Sequence, residues 1–560
     1  MADDTSQISK GGIAMAVLNT HYVFHDDDKK ELSAEEQDIC RYIARNSHDD
    51  YDHLIAKDNR WKVFYQLTRM RKSLLNWYDF RPDATLLEIG GGFGAITGLY
   101  CDKCSKVVSV ERFKHRAEQI YERHKTRENL TVYAGRIEDI PFDEKFDYIT
   151  VVGAMEYKGN GSQEQKVYSE YLKDLKGLLK PNGRILLAVE NRYGLKYFCG
   201  TGDPHTGIPF AGINKYPHGS IGYSFSRQEL IRIIQQAGLP HYKFYYPLPD
   251  YKLPQMIYSQ DYIPQTSIRE RVIPYYLNQS TLVASELELY DDIIDNQVFE
   301  FFSNSFLVEC ADRPEFCDVI YAAVSTDRGH EEAFATTIHS NQTVRKTALY
   351  PEGEVQLRNI DRNLKALKAR EIKVTASDII GHSLCMPYVK HDTLSDHLKK
   401  IIAQDPQQFI ALLDQLYASI LQSSKHSLQV NIDIAGYNEE LDYGVILEKA
   451  YIDMVPVNCF YYDNELEFFD QEFVKEHYPA KYVLFRALKY TYFFIGEADK
   501  HVPLNDLKIK YGLTELWELF EQEEYAFVAH NRKYDQYQSF LARAYIDKEN
   551  MHHNAKLLLR

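Results

Sequence analysis

Apolar positions early in the chain recur at helical spacing, and from about residue 85 the period changes. Trp61, Phe64, Leu67, Leu74 and Leu75 share one face of a helix expected over about 58–78. Upstream, Ser33-Ala-Glu-Glu-Gln offers a capping serine and first-turn acids, which marks a helix entry. The pattern then shifts to short apolar runs: Leu86, Leu87 and Ile89; Val107 to Val110; Phe146 to Val152; Ile185 to Leu187. Strand-like runs alternating with helical stretches over about 85–190 predict an α/β fold with a doubly wound parallel sheet. Ser226-Arg-Gln-Glu229 has capping-box spacing and opens a helix that ends at Ala237-Gly238. Strands near 241–247 and 305–310 are expected to close the sheet.

Past residue 315 the pattern changes again. Three β-rich runs, 320–324, 334–338 and 343–349, read as an antiparallel meander with Lys346 on its third strand. A helix is expected over about 354–369, and residues 473–560 read as helices. The organisation expected is therefore a helical region over 1–80, an α/β domain over 81–315 and an α+β domain over 316–560. The last divides at about 388 into a smaller and a larger lobe. The tyrosine-rich stretch 248–300 is an insertion, and long insertions in compact domains tend to be functional.

The totals narrow the function. A chain of 560 residues needs more than one core. A net charge of -16 argues against a general nucleic-acid binder. The eight cysteines are scattered, and Cys101-Asp-Lys-Cys104 lacks a second ligand pair, so neither zinc nor a disulfide framework is indicated. That usage fits a reducing cytoplasm. The acidic start has no signal-peptide core, and no run of about 18 apolar residues is present to span a membrane.

The candidate chemistry begins at the first strand. It carries Glu88 and breaks into Gly90, Gly91, Gly92 and Gly94, where a side chain would keep the backbone from a ligand. The second strand ends in Glu111, 19 residues after Gly92, close to the offset at which an acid meets ribose hydroxyls. Alone, this fits a dinucleotide or a merely tight turn equally well. The further order Ala134-Gly-Arg-Ile-Glu138-Asp139, Phe146-Asp147 and Leu179-Lys-Pro-Asn-Gly183 resembles the class I S-adenosylmethionine-dependent methyltransferases. The resemblance implies that Glu88, Gly90, Gly92 and Gly94 surround the cofactor's methionine end. It further implies that Glu111 holds the ribose, Glu138 or Asp139 the adenine, and that Met155 borders the cofactor.

The rim loop 190–217 combines Arg192, Lys196 and His205 with tyrosines and glycines. Its cations suit a phosphate or carboxylate acceptor, which would need only positioning. A hydroxyl acceptor would want a base, and His205 or Glu156 is placed for that; His205 reads equally as a hydrogen-bonded loop histidine.

In the last domain the order is Lys346, then Asp453-Met-Val-Pro-Val-Asn458, then Asp470-Gln-Glu472. It resembles the protein-kinase-like fold. The resemblance implies ATP and Mg²⁺ as cofactors, with Lys346 on the phosphates and Glu354 as the lysine's partner. It makes Asp453 the residue that orients the attacking hydroxyl, and Asn458 and Asp470 the metal ligands. The chain departs from that pattern in having Asp327-Arg-Gly-His where a glycine-rich loop would stand, and Asp470-Gln-Glu for Asp-Phe-Gly. The whole resembles fused methyltransferase–kinase enzymes that cap bacterial O-antigen polysaccharides. By that likeness the acceptor is a glycan, glycolipid or sugar phosphate, and the location is the cytoplasm or the inner face of the membrane. Competing readings are a methyltransferase whose second half only binds a nucleotide or partner, and an inactive scaffold.

Overall fold

The structure, a computed structural model, describes residues 15–24, 32–46 and 50–558; the acidic start at residues 1–6 lies outside them. The chain divides into two compact units. The first comprises residues up to Thr326 together with Asp535–Arg560, and the second is Asp327–Tyr534. The boundary expected near 315 therefore moves to 326. The tail beyond 534, expected in the second domain, belongs to the first.

The first unit is built on ten strands: β1 (Val17–Asn19), β2 (Thr85–Ile89), β3 (Lys106–Glu111), β4 (Leu130–Ala134), β5 (Phe146–Val152), β6 (Leu179–Glu190), β7 (His241–Leu248), β8 (Met256–Ser259), β9 (Ser305–Ala311) and β10 (Val319–Val324). Within this unit their order is β1-β4-β3-β2-β5-β6-β9-β7-β8-β10. The strands from β1 to β6 pair in parallel. From β6 onward every pair is antiparallel. The parallel strands are buried on both faces, as the continuous apolar runs required: Leu86, Leu87, Ile149 and Val151 are fully enclosed. The order reverses at β2, the point at which open α/β sheets bind ligands beyond their strand ends.

Three expectations need correction here. The helix over 58–78 is broken: Trp61–Leu67 is α-helical, and Arg69–Leu74 is a 3-10 turn. Thr68 separates them in an extended conformation, its buried hydroxyl accepting the Met70 N–H. A side-chain acceptor competing locally with the helix ladder breaks it there. The run at 320–324 is strand β10 and pairs with β8 in the first unit, so it does not start the second. Finally, the N-terminal region is not only helical, since β1 adds a parallel strand beside β4. The helix Ala34–Arg45 forms as expected, with a capping box between Ser33 and Glu36.

In the second unit β11 (Phe334–His339), β12 (Thr343–Ala348), β13 (Asp378–Ile380) and β14 (Ser383–Pro387) form an antiparallel group ordered β11-β12-β14-β13. The helix Glu354–Lys368 packs Leu357, Ile360 and Leu364 against Phe334, Leu384 and Met386. A larger core follows, built largely from the helices Pro406–Gln422, Ala480–Phe494 and Trp517–Asn531. It carries two small sheets, β15 (His426–Ser427), β16 (Ile446–Tyr451) and β19 (Val474–Pro479), and the hairpin β17 (Cys459–Tyr462) with β18 (Glu465–Phe468). Strand β19 stands at the start of the stretch read as wholly helical.

Candidate active site

Beyond the carboxyl ends of β2 and β5 lies a cavity of about 150 Å³. Tyr65, Gln66, Arg71, Glu88, Gly90–Gly92 and Gly153 contribute to its wall. Gly90, Gly92 and Gly94 hold φ of +77°, +61° and +76°, the left-handed region that favours glycine. At Gly91 space, not φ, makes the demand: a Cβ would stand 2.8 Å from Ser109 Oγ and Ile120 Cδ1. The turn therefore offers bare backbone to whatever fills the cavity.

Glu88 is buried, its Oε2 accepting from Thr97 Oγ1 at 2.7 Å and Ser109 Oγ at 2.6 Å. Burial raises its pKa against those hydroxyls. Glu111, at the end of β3, accepts the Gly92 N–H through Oε2 at 2.9 Å and the Phe113 N–H through Oε1 at 3.1 Å. The acid and the glycine turn are thus one assembly. Arg123 adds a tie from behind, donating to the carbonyls of Phe93 at 3.1 Å and Gln66 at 2.9 Å.

Glu138 and Asp139 both sit exposed on a short 3-10 turn after β4. Glu138 is ion-paired to Lys158, whereas the Asp139 carboxylate has no partner among the described residues. Met155 is fully enclosed in the sheet's core cluster, so the cavity wall at that point is Gly153 instead. Gly153, at φ +62°, lies under the Tyr251 hydroxyl, 2.5 Å from where a Cβ would be.

The rim loop is folded inward. Arg192 is buried in an ion pair with Glu229 at 2.8 Å and a hydrogen bond to the Tyr223 hydroxyl. Lys196 is bound by Asp250 at 2.9 Å and Glu190 at 3.2 Å. Neither cation is offered to an acceptor. The rim position suggested cations free for an acceptor, but Glu229 and Asp250, 37 and 54 residues further along, neutralise them. His205 is buried, its Nε2 on Ser224 Oγ at 3.1 Å and its ring edge-on to Tyr157. Burial lowers its pKa, and its Nδ1 is enclosed against Gly222.

Glu156 is the carboxylate with spare capacity. It is 1 % exposed; Oε1 accepts the Glu190 N–H at 3.1 Å and Oε2 has no hydrogen bond. Burial raises its pKa to about 7. Its neighbour Glu190 is buried too, yet Lys196 and Lys252 outweigh burial and hold it at about 2. Two adjacent carboxylates thus differ in charge at neutral pH, one ionised and one poised. The insertion supplies Asp250, Tyr251, Lys252 and Tyr275 to this region, with the Tyr275 hydroxyl on Asp250 at 3.0 Å. None of these residues, nor Arg71, carries a sequence motif that would have singled it out.

In the second unit Lys346 on β12 is enclosed and paired with Asp470, at 2.5 Å, and with Glu472. Glu354, its expected partner, faces away: it binds His382 Nδ1 at 2.7 Å and Arg358 at 3.5 Å. The helix instead meets the 470–472 turn through amides, Gln356 donating to the Glu472 carbonyl and Asn363 to that of Gln471. Asp453 is enclosed, with Oδ2 accepting the N–H groups of Glu472 at 3.0 Å and Phe473 at 2.9 Å, and Oδ1 facing Arg486 at 3.2 Å. Burial raises its pKa to about 6 against Arg486. Its lone pairs fasten a turn. Asn458 donates to the Asp453 carbonyl at 3.3 Å, and Asp470 sits at φ +53°.

An open parallel sheet with a bare glycine turn facing an acid-tipped neighbour defines the first unit as an α/β ligand-binding fold of the nucleotide type. Residues 87–187 match the family described as "Methyltransferase domain", so the chain contains a methyltransferase domain. No curated protein matches the chain. Among solved structures it is similar to an S-adenosylmethionine-dependent methyltransferase from Clostridium acetobutylicum, at 12% identity and TM-score 0.25 over 47% of this chain and 96% of that one. It is similar to the N-methyltransferase NodS from Bradyrhizobium japonicum, solved with S-adenosyl-L-homocysteine, at 18% identity and TM-score 0.21 over 29% and 75%. No helix among the described residues is long and apolar enough to cross a membrane.

Proposed function

We propose that the first unit transfers the methyl group of S-adenosylmethionine to a hydroxyl, with Glu156 as the general base. The observation that carries this is the buried Glu156 carboxyl, raised to about 7 with one oxygen unbonded, on the short turn that follows Gly153 of the cavity wall. The residues present fit the cofactor. The turn at Gly90–Gly92 leaves room for it, Glu111 at the tip of β3 would hold the ribose, and the unpaired Asp139 is the better candidate for the adenine amino group. Bound there, the cofactor supplies an electrophilic sulfonium methyl. Glu156 takes the proton of the attacking hydroxyl, and Tyr251 packs over Gly153 of the cavity wall. A phosphate acceptor is less well served, because Arg192 and Lys196 are neutralised internally. That the hydroxyl belongs to a glycan or glycolipid rests on the resemblance to the capping enzymes. The test is methyl transfer from labelled cofactor to a panel of sugars, glycolipids and sugar phosphates. Labelling confined to phosphate groups would sink the reading.

A second reading concerns the second unit, which we infer binds a nucleotide with Mg²⁺ without transferring its phosphate. Asp470 and Glu472 converge on one cation, Lys346, so the donor set suits positive charge, and Lys346 could turn to phosphates once a metal replaced it. Asn458 would be the further ligand. Asp453, however, spends its carboxylate on two backbone amides and Arg486, which leaves no base for a hydroxyl. Calorimetry with ATP and Mg²⁺ should show binding that Asp470→Ala loses, with no phosphoryl transfer to the sugar panel. Transfer to any sugar would favour the kinase reading.

A further inference from the structure

The cavity wall holds a cation with no ion-pair partner among the described residues. Arg71 lies on the 3-10 turn Arg69–Leu74, which ends the helical segment over the glycine turn. Its Nε is buried without a hydrogen-bond partner, and no ion pair to Arg71 is present among the described residues. The Tyr65 ring lies 4.0 Å from its guanidinium, face on. Burial lowers its pKa, opposed chiefly by the nearby phenols of Tyr251, Tyr275 and Tyr100 and by the already paired Asp250. An arginine so placed is stabilised by an anion, and its planar fork matches a carboxylate bidentately. Glu88 lines the same cavity and feels the Arg71 charge. A cation and an acid lining one small cavity complement a zwitterion, the cation its carboxylate and the acid its ammonium.

We propose that Arg71 binds the carboxylate of the cofactor's amino-acid end, and so selects for a ligand that keeps this group. The proposal rests on the cofactor reading above. The position also accounts for the break at Thr68: a continuous α-helix would rotate residue 71 relative to its place in the 3-10 turn.

The test compares S-adenosylhomocysteine with its decarboxylated analogue, titrated calorimetrically into the full chain and into Arg71→Met and Arg71→Lys. The wild-type chain should prefer the carboxylate-bearing ligand by roughly 10- to 100-fold, the scale of hydrogen bonds to charged groups. In Arg71→Met that preference should fall below about threefold. Affinity for the decarboxylated analogue should stay at the wild-type level, which also shows that the variant is folded. Arg71→Lys should recover part of the preference. A preference that survives in Arg71→Met overturns the proposal. So does an unchanged preference accompanied by a raised acceptor KM, which would assign Arg71 to an anionic acceptor. If neither ligand binds the wild-type chain, the cofactor reading itself fails.

Discussion

The carboxylate of Glu111 accepts the backbone N–H of Gly92 at 2.9 Å, joining the tip of β3 to the glycine turn of β2. The acid that would meet the ribose therefore also sets the position of the turn. Removing it has two effects, a lost ligand contact and a freed N–H.

Glu111→Ala should weaken S-adenosylhomocysteine binding by roughly 10- to 100-fold, since charge-assisted hydrogen bonds are worth about 1.5–3 kcal/mol each. Titration calorimetry reads this directly. Unchanged affinity would move the ribose elsewhere.

The glycines should separate by mechanism. Gly91→Ala forces a Cβ within 2.8 Å of Ser109 Oγ and Ile120 Cδ1 and 2.9 Å of Glu88 Oε2, all behind the turn. Gly92→Ala meets nothing within 4 Å and bears only the left-handed φ of +61°, a cost of about 1–2 kcal/mol. Gly91→Ala should therefore lower the melting temperature more. The opposite order would contradict the packing described behind the turn.

Glu156→Gln should reduce kcat by roughly 10²- to 10⁴-fold while cofactor affinity holds within twofold. Wild-type activity should rise with pH through about 7, where the base ionises. Stability runs the other way. The folded pKa lies above the unfolded value of 4.5, so the stability this group contributes at low pH is lost as pH rises through about 7. At pH 8 Glu156→Gln should thus be more stable than the wild type, by about 3 kcal/mol at most. Melting curves from pH 4.5 to 8 check the sign.

In the second unit Asp453→Ala strands the amides of Glu472 and Phe473 together with Arg486. Losing one partner of a buried charged pair costs about 3–5 kcal/mol. Hydrogen exchange over 470–473 should accelerate, with S-adenosylhomocysteine binding unchanged. Slow exchange there would mean the turn is held by other contacts.

Lys346→Met leaves Asp470 and Glu472 facing each other without their cation. Like charges so close raise the demand for a replacement ion. Added Mg²⁺ should therefore raise the melting temperature of this variant more than that of the wild type.

The glycine turn, Glu88, Glu111 and the parallel strands were legible in the sequence because each is dictated locally. A backbone at positive φ favours glycine, and a strand buried on both faces needs an unbroken apolar run. The capping boxes at Ser33 and Ser226 were legible for the same reason, since donor and acceptor lie three residues apart. Charge pairing is different. Whether Arg192 meets an acceptor or Glu229, and whether Lys346 meets Glu354 or Asp470, depends on which segments fold side by side. Periodicity records which face of an element is buried and nothing of what it is buried against. Thr68 shows the boundary: its helical context promised one long helix, and only the enclosed hydroxyl decided for a break that sets Arg71 in the cavity wall. The sequence by itself determined the glycine turn and the acids on the strands beside it. The tertiary structure alone decided which of the many charges around it are already neutralised and which, like Arg71 and Glu156, are left with something to bind, because desolvation and pairing act through space and not along the chain.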